Sequence, residues 1–276
     1  MKKVLTIQDI SCVGQCSITV ALPVISAMGI ETCVLPSAVL STHTSGFTGF
    51  TFHDLTEDLP NIREHWIKEK LCFDFIYTGY VGNKKQMKYI DDIFNSCCAK
   101  NCKIVVDPVM ADHGKFYAGF DHSYAMEVKK LCQEADILVP NLTEASILVG
   151  EEYIEFGYDE SYIENMVKKL FEVNGKSVVL TGVSFDKAKL GIAVYHDKKL
   201  NYYFRDRIDA NFHGTGDVFS SSLVGALAND FSLIEAGRIA VDFTIESINH
   251  TLKDPSHLYG VKFEKAIPYL IRRIGK

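Results

Sequence analysis

The chain lacks any stretch fit to cross a bilayer. Its longest apolar region, Ile18 to Leu40, is broken by Pro23, Gly29, Glu31 and Pro36, whereas a spanning helix needs roughly 20 predominantly apolar residues. Near the start, the run Val4 to Ile7 is cut off by Gln8 and Asp9, too early for the apolar centre of a secretory signal. There is no surplus of positive charge either. A net charge of -6 argues against a basic surface for nucleic-acid phosphates, and so against nucleic acid as a partner. The cysteines (Cys12, Cys16, Cys33, Cys72, Cys97, Cys98, Cys102 and Cys132) include no C-x-x-C pair and have no matched histidines, which argues against zinc. Several sit in apolar runs, where a reduced thiol packs as a small hydrophobe, and this predicts a cytoplasmic setting. The absence of G-x-x-x-x-G-K-[ST] excludes a P-loop enzyme. The first turn also lacks G-x-G-x-x-G, which argues against a nicotinamide dinucleotide. Repeats, low-complexity tracts and linkers are missing too, so residues 1–276 are expected to form a single domain.

What is present is an alternation. Apolar runs at Val4–Ile7, Glu31–Leu35, Phe73–Thr78, Lys103–Val106, Asp136–Val139 and Ser177–Leu180 read as strands. Between them lie helical patterns: Ile18, Ala21, Leu22, Ile25 and Met28 recur on one face, and further helices are expected from Pro60, after Asn83, after Glu144, and from Asp217, Ser232 and Lys262. Leu190–Tyr195 and Leu200–Phe204 read as an antiparallel hairpin. Such a chain predicts an α/β fold with a central, mostly parallel sheet, helices on both faces, and ligands outside the carboxyl ends of the strands. Residues 37–52 are rich in hydroxyls, aromatics and glycine. They read as a flap over the strand ends or, equally, as a solvated edge hairpin.

The chemistry is most legible at Asn211-Phe212-His213-Gly214-Thr215-Gly216-Asp217. Glycines at Gly214 and Gly216 allow a sharp turn and a close approach of backbone to ligand. The first N–H groups of the following helix then face an anion. Asp217 would repel that anion, so it fits better as a base taking a proton from an attacking hydroxyl. A tight turn followed by an acid suited to a helix N-terminus is the plainer alternative. Asp107, Asp112, Asn141, Glu144 and Thr181 all follow strand ends, and oxygen ligands facing a polyphosphate suit Mg²⁺. Asn141 and Glu144 also read as a capping pair at a helix start.

These pieces resemble the ribokinase-like superfamily and, within it, the pyridoxal (vitamin B6) kinases. The resemblance runs nearly end to end. It is carried by Ser41-Thr42-His43-Thr44, Thr78-Gly79-Tyr80, Asp107-Pro108-Val109 with Asp112, Asn141 with Glu144, and Gly214-Thr215-Gly216-Asp217. It implies ATP-dependent phosphorylation of a B6 vitamer's 5′-hydroxymethyl group, with Asp217 as base and Gly214, Thr215 and Gly216 as the anion hole. Thr44, Ser45, Tyr80 and either Asp9 or Ser11 would hold the pyridine ring. Asp107, Asn141 and Glu144 would act on Mg²⁺, while Asp107, Asp112 and Thr181 would lie near the phosphates and a monovalent cation. Adenine would lie over Asp209, Ala210, Asn211 and Phe212. The family usually has Ser where this chain has Asp9, and an Asp there resembles hydroxymethylpyrimidine kinases, the alternative substrate class. A nucleotide-binding sensor is the non-enzyme alternative, although a mere binder gains nothing from an acid beside a phosphate. Apolar residues on the flap lead us to expect a homodimer.

Overall fold

The first strand, β1 (Lys3–Ser11), is buried along nearly its whole length, as a continuous apolar run implies for a strand covered on both faces. In this computed structural model it belongs to the first of two units, residues 1–102 with 210–276; the second is residues 103–209. The structure describes residues 1–276 except Ser45, Pro255 and Leu258.

The first unit continues through α1 (Ile18–Ala27), β2 (Glu31–Leu40), β3 (Phe52–Asp54), α2 (Leu59–Lys68), β4 (Phe73–Thr78) and α3 (Lys84–Cys97) into β5 (Cys98–Val106). β1 pairs in parallel with β2 and β4, and β3 adds antiparallel to β2. A parallel pair needs a crossover to bring the chain back to the same end. Between β1 and β2 that crossover is α1, which buries Ile18, Val20, Ala21, Val24 and Ile25. Asn83 caps α3 as expected, its side chain accepting from the Gln86 N–H.

The second unit holds β5 from Lys103 onward, then β6 (Ala111–Asp112), β7 (Lys115–Phe116), α4 (His122–Glu134), β8 (Ile137–Leu138), α5 (Leu142–Val149), α6 (Glu160–Asn174), β9 (Ser177–Val183), β10 (Lys189–His196) and β11 (Lys199–Asp206). β5, β8 and β9 run parallel, and the expected hairpin, β10 with β11, adds antiparallel to β9. The chain returns to the first unit as α7 (Thr215–Ala228), α8 (Leu233–Leu252) and α9 (Phe263–Arg273).

The α/β architecture with mostly parallel strands is therefore as predicted, and the differences are at boundaries. β2 runs to Leu40 rather than stopping at Leu35. Gln8 faces Pro36 and Ile10 faces Val39, so β2 carries one residue more than β1 opposite Asp9, a bulge of the kind that re-aims side chains beside functional sites. β5 begins at Cys98 rather than Lys103. The loop after Ala111 closes as the small β6–β7 hairpin, whose central residues His113 and Gly114 have φ of 48° and 74°, as a tight two-residue turn requires. Residues 41–51 form the excursion between β2 and β3. Ser41 N–H to Thr51 O (3.2 Å) and Thr51 N–H to Ser41 Oγ (2.8 Å) close its neck, so the flap rises from an edge pair of strands.

Candidate active site

In the first unit the site is built on two loops, the one after β1 and the one before α7. Gly214 caps α7 at φ 77° with no side-chain cap, and a methyl group there would run into the Gln15 carbonyl oxygen. Only glycine meets both demands. The N–H groups of Thr215, Gly216 and Asp217 lie in the first turn of α7, where no intrahelical acceptor reaches them. Gly216 differs from expectation. Its φ is ordinary, and a methyl there would meet nothing within 4 Å, so the sharp turn depends on Gly214 alone and the side of Gly216 is open.

Asp217 is half-buried, and its carboxyl accepts the Ser17 N–H. Burial, opposed by that hydrogen bond and reinforced by the Asp9 carboxyl, pushes its pKa up to about 7. Asp9, at the bulge, is buried, and burial likewise raises its pKa against the pull of the Ser17 and Ser11 hydroxyls and of His43. The Ser11 hydroxyl donates to Asp9 Oδ2 at 3.2 Å. Tyr80 is half-buried nearby, its phenol pushed up by burial and then by Asp9 and Asp54. Asp9, Ser11, Tyr80, Gly214 and Asp217 are thus brought together.

Ser17 serves both acids, its N–H on Asp217 and its hydroxyl on Asp9. It does so at φ 50°, a left-handed conformation that is costly for a residue with a side chain and tends to mark functional sites. Nothing in the sequence marks it beyond the short Gly14–Ser17 turn. The flap neck sits on the same loop: the His43 N–H donates to Val13 O at 2.8 Å, and a methyl on Gly14 would come within 2.7 Å of His43 Cβ. The His43 and His213 rings are 5.6 Å apart, which sets residue 43 beside the Gly214–Asp217 turn. Thr44 is exposed, and Ser45 lies outside the described residues.

In the second unit Asn141 caps α5 through a capping box. Its Oδ1 accepts from the Glu144 N–H and Glu144 Oε2 accepts from the Asn141 N–H, both at 2.9 Å. Glu144 Oε1 accepts the Met110 N–H at 3.1 Å, and Asn141 Nδ2 donates to Ala111 O at 2.8 Å. The capping reading is therefore realised. Glu144 is buried, and burial together with the Asp107 carboxyl pushes its pKa well up. Thr181 bridges to Asn141 and donates its N–H to Pro140 O at 2.9 Å. Asp107, Asn141, Glu144 and Thr181 thus share one end of this unit's strands. Asp112 is exposed, with Oδ1 accepting the His113 N–H at 2.8 Å. Asp209 is also exposed, as is Asn211 in the first unit, where Ala210 and Phe212 are half-buried. Among the described residues no three His, Cys, Asp or Glu side chains are grouped to hold a metal by themselves. Two crowded carboxyls with amide and hydroxyl oxygens nevertheless fit a cation such as Mg²⁺, which binds through few carboxylates plus water and phosphate. No helix among the described residues is long and apolar enough to cross a membrane.

The sequence profile of the phosphomethylpyrimidine kinase family matches residues 14–260. A Bacteroides thetaiotaomicron protein assigned to those kinases, whose crystal form contains pyridoxal, superposes with a TM-score of 0.89 at 32% identity over 98% of this chain and 95% of that one. The pyridoxal kinase of Lactobacillus plantarum gives a TM-score of 0.91 at 29% identity over 99% and 97%. The hydroxymethylpyrimidine/phosphomethylpyrimidine kinase of Aquifex aeolicus is 27% identical over 64% of this chain and 68% of its own length. With the β1 loop from Gly14, the Asn141–Glu144 cap and the Gly214–Asp217 turn all inside the matched span, the chain belongs to the phosphomethylpyrimidine kinase family, phosphotransferases of ribokinase-like fold that act on an alcohol group.

Proposed function

We propose that the protein transfers the γ-phosphoryl group of ATP to the 5′-hydroxymethyl group of a vitamin B6 vitamer. The observation that carries this is Asp217, an acid with a pKa of about 7 at the open head of α7, poised to exchange a proton near neutral pH. In this role Asp217 Oδ accepts the proton of the substrate hydroxyl as its oxygen attacks phosphorus. The N–H groups of Gly214 to Gly216 receive the charge on the transferred group, which is where a phosphoryl-transferring protein contributes most. Tyr80, the flap at Thr44 and the acid Asp9 hold the ring, while residues 209–212 lie along the adenine. Mg²⁺, bound with ATP and held through Asp107, Asn141 and Glu144 partly by water, would neutralise phosphate charge. Likeness to the two pyridoxal-related structures supports this choice of substrate.

Asp9 favours a second reading. A carboxyl at the ring accepts hydrogen bonds from an aminopyrimidine as readily as from pyridoxamine, and the Aquifex aeolicus relative is a kinase of the pyrimidine class. The deciding experiment is a panel of pyridoxal, pyridoxamine, pyridoxine, hydroxymethylpyrimidine and ribose with ATP and Mg²⁺, scored for phosphate transfer. We expect the highest kcat/KM with a B6 vitamer. A clear preference for hydroxymethylpyrimidine would move the protein to the second reading, and nucleotide binding without transfer to any alcohol would make it a sensor.

A further inference from the structure

The turn that holds both acids of the site is itself held from outside. Gln15 lies midway along it. Its amide Nε2 is 2.7 Å from each carboxylate oxygen of Glu264, in the first turn of α9. Because a carboxylate only accepts, this fixes the orientation of the amide and turns Gln15 Oε1 toward His257, whose Nε2–H donates to it at 2.7 Å. The backbone is clasped as well. The Gln15 carbonyl packs on Gly214, and the Gln15 Cβ would be met at 2.5 Å by a methyl on Gly260, which has φ 100°. Two residues further on, Ser17 adopts its left-handed backbone and reaches Asp217 and Asp9. The local sequence does not favour that conformation, so something must hold it. The Thr19 hydroxyl, 2.9 Å from Gly14 O and 2.7 Å from Cys16 O, supports the turn only from its own helix.

We infer that Gln15 is a positioning residue for phosphoryl transfer: pinned by Glu264 and His257, it holds the 14–17 turn so that the Ser17 N–H stays on Asp217 and the Ser17 hydroxyl on Asp9. It touches neither substrate nor phosphate. This role rests on Asp217 being the base of the proposed kinase reaction and adds His257 and Glu264 to what sets that base.

The test reads the titration of Asp217 as well as turnover. The charged or titratable groups around it are Asp9 from β1, the Cys16 thiol from the turn, and, facing Asp9, His43 from the flap and Tyr80 after β4. Gln15→Met alters none of these, whereas Gln15→Glu adds a carboxyl to the turn that by itself raises neighbouring acids, so the midpoint is read in Gln15→Met and the Glu variant is read by kcat. The Asp217 carboxyl is followed by ¹³C NMR, assigned through Asp217→Asn, in the wild type and Gln15→Met; kcat is measured in these, in Gln15→Glu, and in the pair Gln15→Glu with Glu264→Gln. Losing a hydrogen bond to the charged form raises a carboxyl pKa. Gln15→Met should therefore move the Asp217 midpoint upward, by about one unit if the Ser17 N–H is lost altogether. Gln15→Met and Gln15→Glu should lower kcat about tenfold with KM for ATP nearly unchanged, less than the hundredfold that a misplacement of ~1 Å can cost. The paired exchange restores an amide facing a carboxylate and should return kcat toward wild type, which a merely unfolded variant cannot do. An unmoved midpoint in Gln15→Met, or no recovery of kcat in the pair, would overturn the positioning role. Failure of every acceptor in the wild type would count against the kinase reading instead, since the NMR midpoint needs no turnover.

Discussion

Asp217 has to lose its proton before it can accept another, so turnover should rise with pH along a limb near 7, where its pKa lies. Stability should run the other way. In the folded chain the group holds a proton between its ordinary value of 3.8 and about 7, which the unfolded chain has already released. The contribution of Asp217 to stability is therefore fully present below the ordinary value and falls as pH rises through that window. Asp217→Asn cannot ionise. We expect it to lose at least roughly a hundredfold in kcat, the lower end for a general base, while binding ATP and vitamer almost normally. Its thermal midpoint should also fall less than that of the wild type between pH 5 and pH 8. Calorimetry at the two pH values checks this, and a variant melting with the wild-type pH slope would place the raised pKa on another group. Asp9 is the other acid in the first unit's site, and Asp9→Ser should shift the ratio of kcat/KM between pyridoxamine and pyridoxal by roughly ten- to hundredfold, the value of one charged hydrogen bond. An unchanged ratio would remove Asp9 from the ring.

At the scale of elements, α7 and α5 begin with groups doing different work. The two glycines at the head of α7, Gly214 and Gly216, separate by substitution. Gly214→Ala forces a side chain into the left-handed region and against Gln15 O, and should destabilise the fold by more than the ~1–2 kcal/mol of the conformation alone. Gly216→Ala meets open space in a helical turn, and should leave stability unchanged or raise it by about 0.5–1 kcal/mol. If the open side is the path of the phosphate, Gly216→Ala nonetheless loses most of its turnover. Melts and kcat measured on the same samples decide it, and a fully active Gly216→Ala would show that the phosphate approaches elsewhere. At α5 the isosteric change Glu144→Gln looks neutral for the fold from sequence, but the structure alters that expectation. Both Glu144 oxygens accept backbone N–H groups, and an amide turns one of these contacts into a donor facing a donor. It should cost about 1–3 kcal/mol as well as weaken the dependence on Mg²⁺. Equal melting temperatures would argue against this structural share.

For the molecule as a whole, the first unit exposes Val13, Phe50 and Phe52 near the flap, at 46%, 39% and 47%. We propose that a second copy of the chain packs on these exposed apolar side chains. Light scattering is expected to give a dimer mass, with a monomer at micromolar concentration as the contrary result. No disulfide joins any of the eight cysteines, and burial pushes the Cys16 and Cys132 thiols upward, so reducing agent should leave the melting temperature unchanged.

The features legible in the sequence are those that depend on neighbours along the chain. Alternating apolar runs and helical faces give the α/β architecture, because periodicity is a local property. The Gly214–Asp217 turn and the Asn141–Glu144 cap can be read directly, since a helix start satisfies its N–H groups within one turn. The hairpin of β10 with β11 follows on the same grounds. Tertiary structure decided what depends on residues distant in sequence. The Asp9 carboxyl raises the pKa of Asp217 only because β1 and α7 converge, and Ser17 serves both only because the chain accepts a strained backbone there. Gln15, His257 and Glu264 carry no motif at all; they are joined by hydrogen bonds across almost the whole length of the chain, which no spacing in the sequence encodes.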